Sequence, residues 1–400
     1  MSIASLRGIK NVSSFTIQRF FNRAFLEERR EKAVLVFFFT PHQQAILKML
    51  SPRLKGFNKL YPWAEAHAEE WDTTFQSSKI ILESLAKEKL TGVGVPEKFG
   101  GDGKTIAHAI LTISDIAYSS FTAAFVLWAH RAYIECVLQS PNEALKSHQL
   151  PLLTSGKMAG SAGLSNLMKH LCGLEKMENF ASLDNGCYHL TGKMPWITNI
   201  DCQGFFAACA AELDNGRAVV FSLENSDKGV NVQSLDLLAL RSSGTKAIIM
   251  DKVALTADRI LHDNIAEWLK TLRPAFIALQ CGLFSGLAAR FIDEAKKHFN
   301  ARRASLKGEI DETEKELLSL RDALIKGVNN NHFVSAPEDL FRLRIRLTDW
   351  LWKAVLLELE TRGGGAYLIE TAEGFPRRLR EASFVPIITP SVTQLKKALA

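Results

Sequence analysis

Residues Leu190 to Ile200 read L-T-G-K-M-P-W-I-T-N-I. They follow an Asp184-Asn185-Gly186 turn, and their β-branched and aromatic residues favour an extended strand. A strand that only fills a core is built of Val, Ile and Leu. This one crowds a glycine, a lysine, a proline, a tryptophan and a threonine together. Trp196 and Thr198 stand two positions apart and are therefore expected on one face. A flat indole beside a hydroxyl suits a planar polar ring. The same tryptophan would also plug a β-barrel, and the strand alone does not separate the two readings.

The surroundings of this stretch share its period of two. Strand-like runs at Tyr188–Ile200, Gly204–Glu212, Arg217–Glu224, Gly229–Ser234 and Thr245–Ala254 alternate with turn residues such as Asp214-Asn215-Gly216. That spacing predicts a barrel or sandwich. On the N-terminal side the period is helical: over Gln43–Leu50, over Ser77–Leu90, and over one central helix from Thr105 to about Leu138. A glycine-rich loop, Thr91–Gly103, interrupts the series, and Pro141 and Pro151 are expected to bracket the next helix. After His262 helices return, at Ile265–Phe299, Asp311–Ile325 and Pro337–Thr361, with Gly363-Gly364-Gly365 as a stop. The fold class is therefore α+β: an N-terminal helical domain (41–150), a central β-barrel or sandwich domain (151–262) and a C-terminal helical bundle (263–400).

Residues 1–40 differ from the rest, with Arg7, Lys10, Arg19 and Arg23 preceding the first acid, Glu27. A basic extension, or a mitochondrial transit peptide, has this composition. The six cysteines form no C-x-x-C pair and, with ten scattered histidines, no metal-ligand spacing, so no metal is expected. Reduced core cysteines point to a cytoplasmic protein, with the mitochondrial matrix as the alternative. A net charge of +6 on 400 residues suits a phosphate-bearing ligand and falls short of a nucleic-acid-binding stripe. The run Ala33–Phe39 is too short to span a bilayer, and Ala275–Ala289 reads as a buried core helix, so no membrane span is expected.

Four patterns in order bear on function. They are G-V-P-E-K-F-G-G-D-G (Gly94–Gly103), the Leu190–Ile200 strand, A-L-R-S-S-G-T (Ala239–Thr245) with the following A-I-I-M-D-K-V-A-L, and G-G-G-A-Y-L (Gly363–Leu368) with R-R-L-R-E-A-S-F (Arg377–Phe384). Together they resemble the acyl-CoA dehydrogenase superfamily of flavoproteins from about Pro41 to Leu395. The resemblance implies a flavin between the barrel and the C-terminal helices. Trp196 would cover its ring, Thr198 would hydrogen-bond the reactive nitrogen, and the Ala162–Asn166 loop with Leu164 and Ser165 would lie at the pyrimidine end. Arg302 would help to hold the adenylate half. It further implies an acyl-CoA or other small hydrophobic substrate, an electron-transfer partner or flavin reductase, and a homodimer or homotetramer. Arg241 is either a substrate contact or a buried arginine tying its strand to a loop acid or carbonyl.

Several family residues are missing. The glutamate that removes the substrate α-proton is replaced by Thr389 in I-I-T-P-S, and its alternative position is Leu272, before Arg273. The A-L-T-E-P loop reads G-L-S-N-L, which keeps the hydroxyl of Ser165 and loses the acid. R-x-x-F-G reads Arg302-Arg303-Ala304-Ser305-Leu306, leaving FMN as an alternative to FAD. Flavin monooxygenases of the same fold often carry a histidine in the region of His130, so His130 is a candidate catalytic group for that chemistry. The expected function is accordingly a flavin-dependent oxidoreductase acting on the CH–CH group of an acyl thioester. The alternatives are a two-component flavin monooxygenase and a non-catalytic flavin-binding relative. The alternating Arg342, Arg344 and Arg346 read as a solvated or subunit-facing surface, and Arg377-Arg378-Leu379-Arg380 as a surface patch.

Overall fold

The order of elements follows the hydrophobic periods. A computed structural model describes residues 60–200 and 204–400, so the basic extension, the helical pattern at Gln43–Leu50 and Cys202 lie outside the described residues. The first layer contains α1 (Leu60–Thr73), α2 (Ser78–Lys87), α3 (Ile106–Ser119), α4 (Phe121–Leu138) and α5 (Glu143–Thr154). The single helix expected over Thr105–Leu138 is two. Ser120 is extended (φ −146°, ψ 112°), and its hydroxyl accepts the Ala123 N–H. The side-chain cap offers the backbone a better partner than a continued helix would. Pro151 lies within the last turn of α5 rather than beyond it.

The glycine-rich loop between α2 and α3 is held by Asp102, whose Oδ1 accepts the N–H groups of Gly94 (2.9 Å) and Lys104 (3.0 Å). A Cβ at Gly101 would stand 2.1 Å from the Val95 carbonyl oxygen, so the loop closes only with glycine there.

The β-region consists of β1 (Ala159–Gly163), the short helix α6 (Ser165–Leu171), β2 (Phe180–Asp184), β3 (Cys187–Ile197), β4 (Phe205–Leu213), β5 (Ala218–Glu224), β6 (Val230–Ser234), β7 (Lys246–Leu255) and β8 (Ile260–His262). Its strand order is β6-β7-β3-β2-β4-β5-β8, with β1 parallel to β4. Asn185 and Gly186, both at positive φ, close the β2–β3 hairpin. The sequence reading omits β1 because A-G-S-A-G has no β-branched residue. Small residues are needed there: a Cβ at Gly160 would meet the Tyr133 side chain of α4 at 2.9 Å.

The last layer contains α7 (Ile265–His298), α8 (Lys307–Asn329), α9 (His332–Ser335), α10 (Pro337–Arg362), α11 (Phe375–Phe384) and α12 (Val392–Leu399). Helix α7 packs against both α3 and α10. By length and hydropathy alone α4 and α7 are long and apolar enough to cross a membrane, but 94% and 78% of their apolar windows are buried inside this fold.

Two arginine readings are corrected here. Arg342 and Arg346 are exposed, but Arg344 is fully buried. The helical period of α10 places it on the Leu340–Leu343–Leu347–Leu351 stripe. Arg377 and Arg378 are also buried, within an ion-pair network rather than a surface patch. Glu358 accepts from Arg362 Nε (2.7 Å) and pairs with Arg378. Arg362 also reaches Glu294 (2.7 Å), and Arg377 pairs with Glu381. Arg380 bonds Asp72 of α1 at 2.8 Å, so the network ties α11 to the first layer.

Candidate flavin and acyl site

Strand β3 loses register with β7 between Met194 and Ile197, where it carries one residue more than its partner. Pro195, which has no N–H for the ladder, lies in this bulge. Beyond it Trp196 is 55% exposed and Thr198 is buried, so the two expected ring-holders occupy different environments. The end of the strand is tightly tethered. Asn199 adopts φ +67°, and its amide donates to the carbonyls of Val126 (3.0 Å) and Gly160 (3.3 Å). The Thr198 hydroxyl is hydrogen-bonded to Thr245 (3.0 Å), which is bonded to Ser243 (2.8 Å). The three hydroxyls form a short chain that fixes the Thr198 side chain at the end of the strand.

Gly163 ends β1 against this strand: a Cβ there would lie 2.7 Å from Met194 Sδ and 3.0 Å from Ile197 Cδ1. The close approach brings Leu164, which is buried, and Ser165 alongside β3. Ser165 Oγ is 3.0 Å from Thr389 Oγ1, so the loop hydroxyl and the position of the missing base, 224 residues apart, are in direct contact. Gln280 Nε2 donates to the Thr389 carbonyl (2.9 Å), and Arg344 Nε donates to Gln280 Oε1 (2.9 Å). Arg344 also bonds Val385 O (2.9 Å) and Thr348, and its guanidinium lies 4.1 Å over the Phe284 ring. Burial pulls its pKa down to about 10. No carboxylate pairs with it among the described residues, so the cluster is electropositive. Gln280 is absent from the site residues expected from the sequence, and Arg344 is expected there only as a surface residue. Each had a signal: an amide inside the apolar A-L-Q-C-G-L-F run, and an arginine on an apolar stripe.

Beside Thr389 lies a cavity of about 250 Å³, whose lining includes Arg273, Pro390 and Gln394. Leu272, the alternative position of the base, is buried and apolar.

The remaining candidates lie elsewhere or have other partners. His130 is fully buried. Its Nδ1 accepts the Gly160 N–H (3.1 Å), which leaves Nε2 protonated and donating to the Leu153 carbonyl (3.0 Å). Burial lowers its pKa to about 4. Neither nitrogen is free for a substrate or a peroxide. The catalytic expectation for His130 is therefore corrected: it pins α4 to β1 and α5. Arg241 pairs with Asp236 of the loop before it (2.6 Å) and stacks 4.2 Å over Phe75, the loop-acid reading. Arg302 is exposed, with only its backbone N–H engaged, by Asn300, while Arg303 bonds the carbonyls of Glu360 and Arg362.

An exposed indole, a tethered hydroxyl and a polar loop fit a flavin ring. The fit is weaker for an adenylate tail, because Ser305-Leu306 stand where the family carries Phe-Gly.

Residues 60–157 match the family model of the acyl-CoA dehydrogenase N-terminal domain. An acyl-CoA dehydrogenase of Bacillus subtilis (strain 168) is 26% identical over 51% of this chain; the chain spans 54% of that relative's length. The probable acyl-CoA dehydrogenase YngJ of the same strain is 23% identical over 88% of this chain and 95% of its own. Among solved structures, the FAD complex of PigA superposes with a TM-score of 0.75 at 19% identity, covering 91% of this chain and 98% of that one.

Proposed function

We propose that the chain is a member of the acyl-CoA dehydrogenase superfamily and a flavin-dependent oxidoreductase that acts on the CH–CH group of an acyl thioester. The observation that carries this reading is the Ser165–Thr389 contact. It brings the loop that the family resemblance puts at the pyrimidine end of the flavin against the position of the missing base. FAD, the cofactor of the PigA complex, is the proposed flavin, and mass measurement of the released cofactor separates it from FMN. A separate electron-transfer protein is the proposed oxidant, and the chain is proposed to assemble as a homodimer or homotetramer.

The flavin, when bound, supplies the hydride acceptor. The chain's own part is orientation and charge. Trp196 offers one apolar face. Thr198 would offer its hydroxyl to the ring edge, and donors aimed at developing charge are the usual source of electrostatic stabilisation. Arg344, through Gln280, makes the Thr389 region electropositive and favours an anionic form of the substrate. What the chain lacks is the proton acceptor: Thr389 and Leu272 stand at both family positions. A general base is worth about 10²–10⁴ in rate, so turnover of saturated acyl-CoAs is expected to be slower by that factor.

Anaerobic mixing of the flavin-loaded protein with a panel of acyl-CoAs tests this. Slow bleaching is expected from the wild type, and bleaching about 10²–10⁴ times faster from Thr389→Glu. Flavin that stays oxidised in both proteins would leave a non-catalytic binder. The monooxygenase alternative has no structural observation in its favour, since His130 has no free nitrogen.

A further inference from the structure

The cavity beside Thr389 is lined by donors that have no acceptor. Gln394 is 2% exposed; its Oε1 accepts the Ser391 N–H in the cap of α12, which turns its Nε2 away, and that nitrogen has no partner. Arg273 Nε is likewise buried without a partner, and the guanidinium lies 5.2 Å over the Phe341 ring. Lys397, whose ammonium also reaches the Gly173 carbonyl, adds a second positive charge. No Asp or Glu lines the cavity, and no carboxylate pairs with Arg273 among the described residues. A half-buried cation without a counter-ion, next to an orphaned amide N–H, is costly unless something supplies negative oxygen. The other walls are apolar, with Met168, Phe341 and Leu395 among them.

We infer that this cavity binds a small organic anion: a carboxylate held by Arg273 and Gln394, with a short hydrocarbon chain against Met168, Phe341 and Leu395. At about 250 Å³ the space lies below the range of roughly 300–1,000 Å³ usual for drug-sized ligands, which limits the occupant to a few carbons. The site lies beside Thr389, so the inference rests on the proposed function and adds a ligand class at that same centre; a binding measurement reads it apart from flavin reduction. Phosphate shares the oxyanion chemistry but leaves the apolar walls uncovered.

Isothermal titration of the full chain with hexanoate, hexanol and inorganic phosphate tests the inference, without regard to flavin turnover. Saturable hexanoate binding is expected, at least tenfold tighter than either of the others. Arg273→Met is expected to weaken hexanoate at least tenfold while melting no lower than the wild type, because it removes a desolvated cation. Arg273→Lys should restore part of the binding. The inference is overturned if hexanoate gives no saturable heat, if hexanol binds equally well, if phosphate binds more tightly, or if Arg273→Met binds hexanoate like the wild type. A folded Gln394→Leu that keeps full hexanoate affinity would also remove the amide from the site.

Discussion

At the scale of single residues, identity and role separate most clearly at His130. A histidine on a central helix is an equally good catalyst or core residue in sequence terms, and only its neighbours decide. Here both ring nitrogens serve backbone groups. The consequence for stability follows from linkage. With an ordinary pKa of 6.5 and a folded value of about 4, the unfolded chain takes up a proton that the folded ring refuses. Stability from this group is complete above 6.5 and falls as the pH drops toward 4, by on the order of 3 kcal/mol. His130→Asn, which can still donate and accept, should lose less between pH 6.5 and 4 in urea titrations. Equal slopes would place the ring's titration elsewhere. Glu381, pushed up to about 7 chiefly by burial, acts in the opposite sense, losing stability as the pH rises from 4.5 through 7. The variant must therefore be compared with the wild type at each pH.

At the scale of elements, the C-terminal helices are held by charge as much as by apolar packing. Glu358 on α10 is fully buried between Arg362 and Arg378, and Arg362 continues to Glu294 on α7. Removing one member of a buried pair leaves an uncompensated charge. Glu358→Gln is expected to destabilise the protein by about 3–5 kcal/mol in chemical denaturation, because Arg378 loses the one carboxylate it pairs with and stays buried as an uncompensated charge. A loss below 1 kcal/mol would show that water reaches the network. Elements also account for two misreadings. The α3–α4 break at Ser120 is one capping hydroxyl inside an otherwise unbroken helical pattern, and β1 is a strand with no strand-forming residues because α4 lies against it.

At the scale of the molecule, the loop after α10 is the most exposed apolar stretch described: Tyr367, Leu368 and Ile369 are 92%, 61% and 96% exposed. Contiguous apolar exposure of this kind marks an interaction site. For a chain proposed to self-associate, it is the natural contact. The wild type should run as a dimer or tetramer in light scattering, and Tyr367→Ser with Ile369→Ser should shift it toward monomer. A wild-type monomer at micromolar concentration would remove the proposal.

The helix–sheet–helix order, five of the strands and the three long C-terminal helices were legible in the sequence, because the periods of 3.6 and 2.0 and the turn residues are local properties of the chain. So was a strand over most of Leu190–Ile200. Other features depended on contacts between distant segments. Ser165 meets Thr389 only because Gly163 presses β1 onto Met194 and Ile197. Arg344 is a core residue rather than a surface one, and His130 is a tether rather than a catalyst. The bulge at Pro195, a mismatch of count between β3 and β7, leaves Trp196 exposed and Thr198 covered. Periodicity says which side of an element is apolar; what lies against that side, and whether a polar group there finds a partner, is decided only when the chain closes on itself.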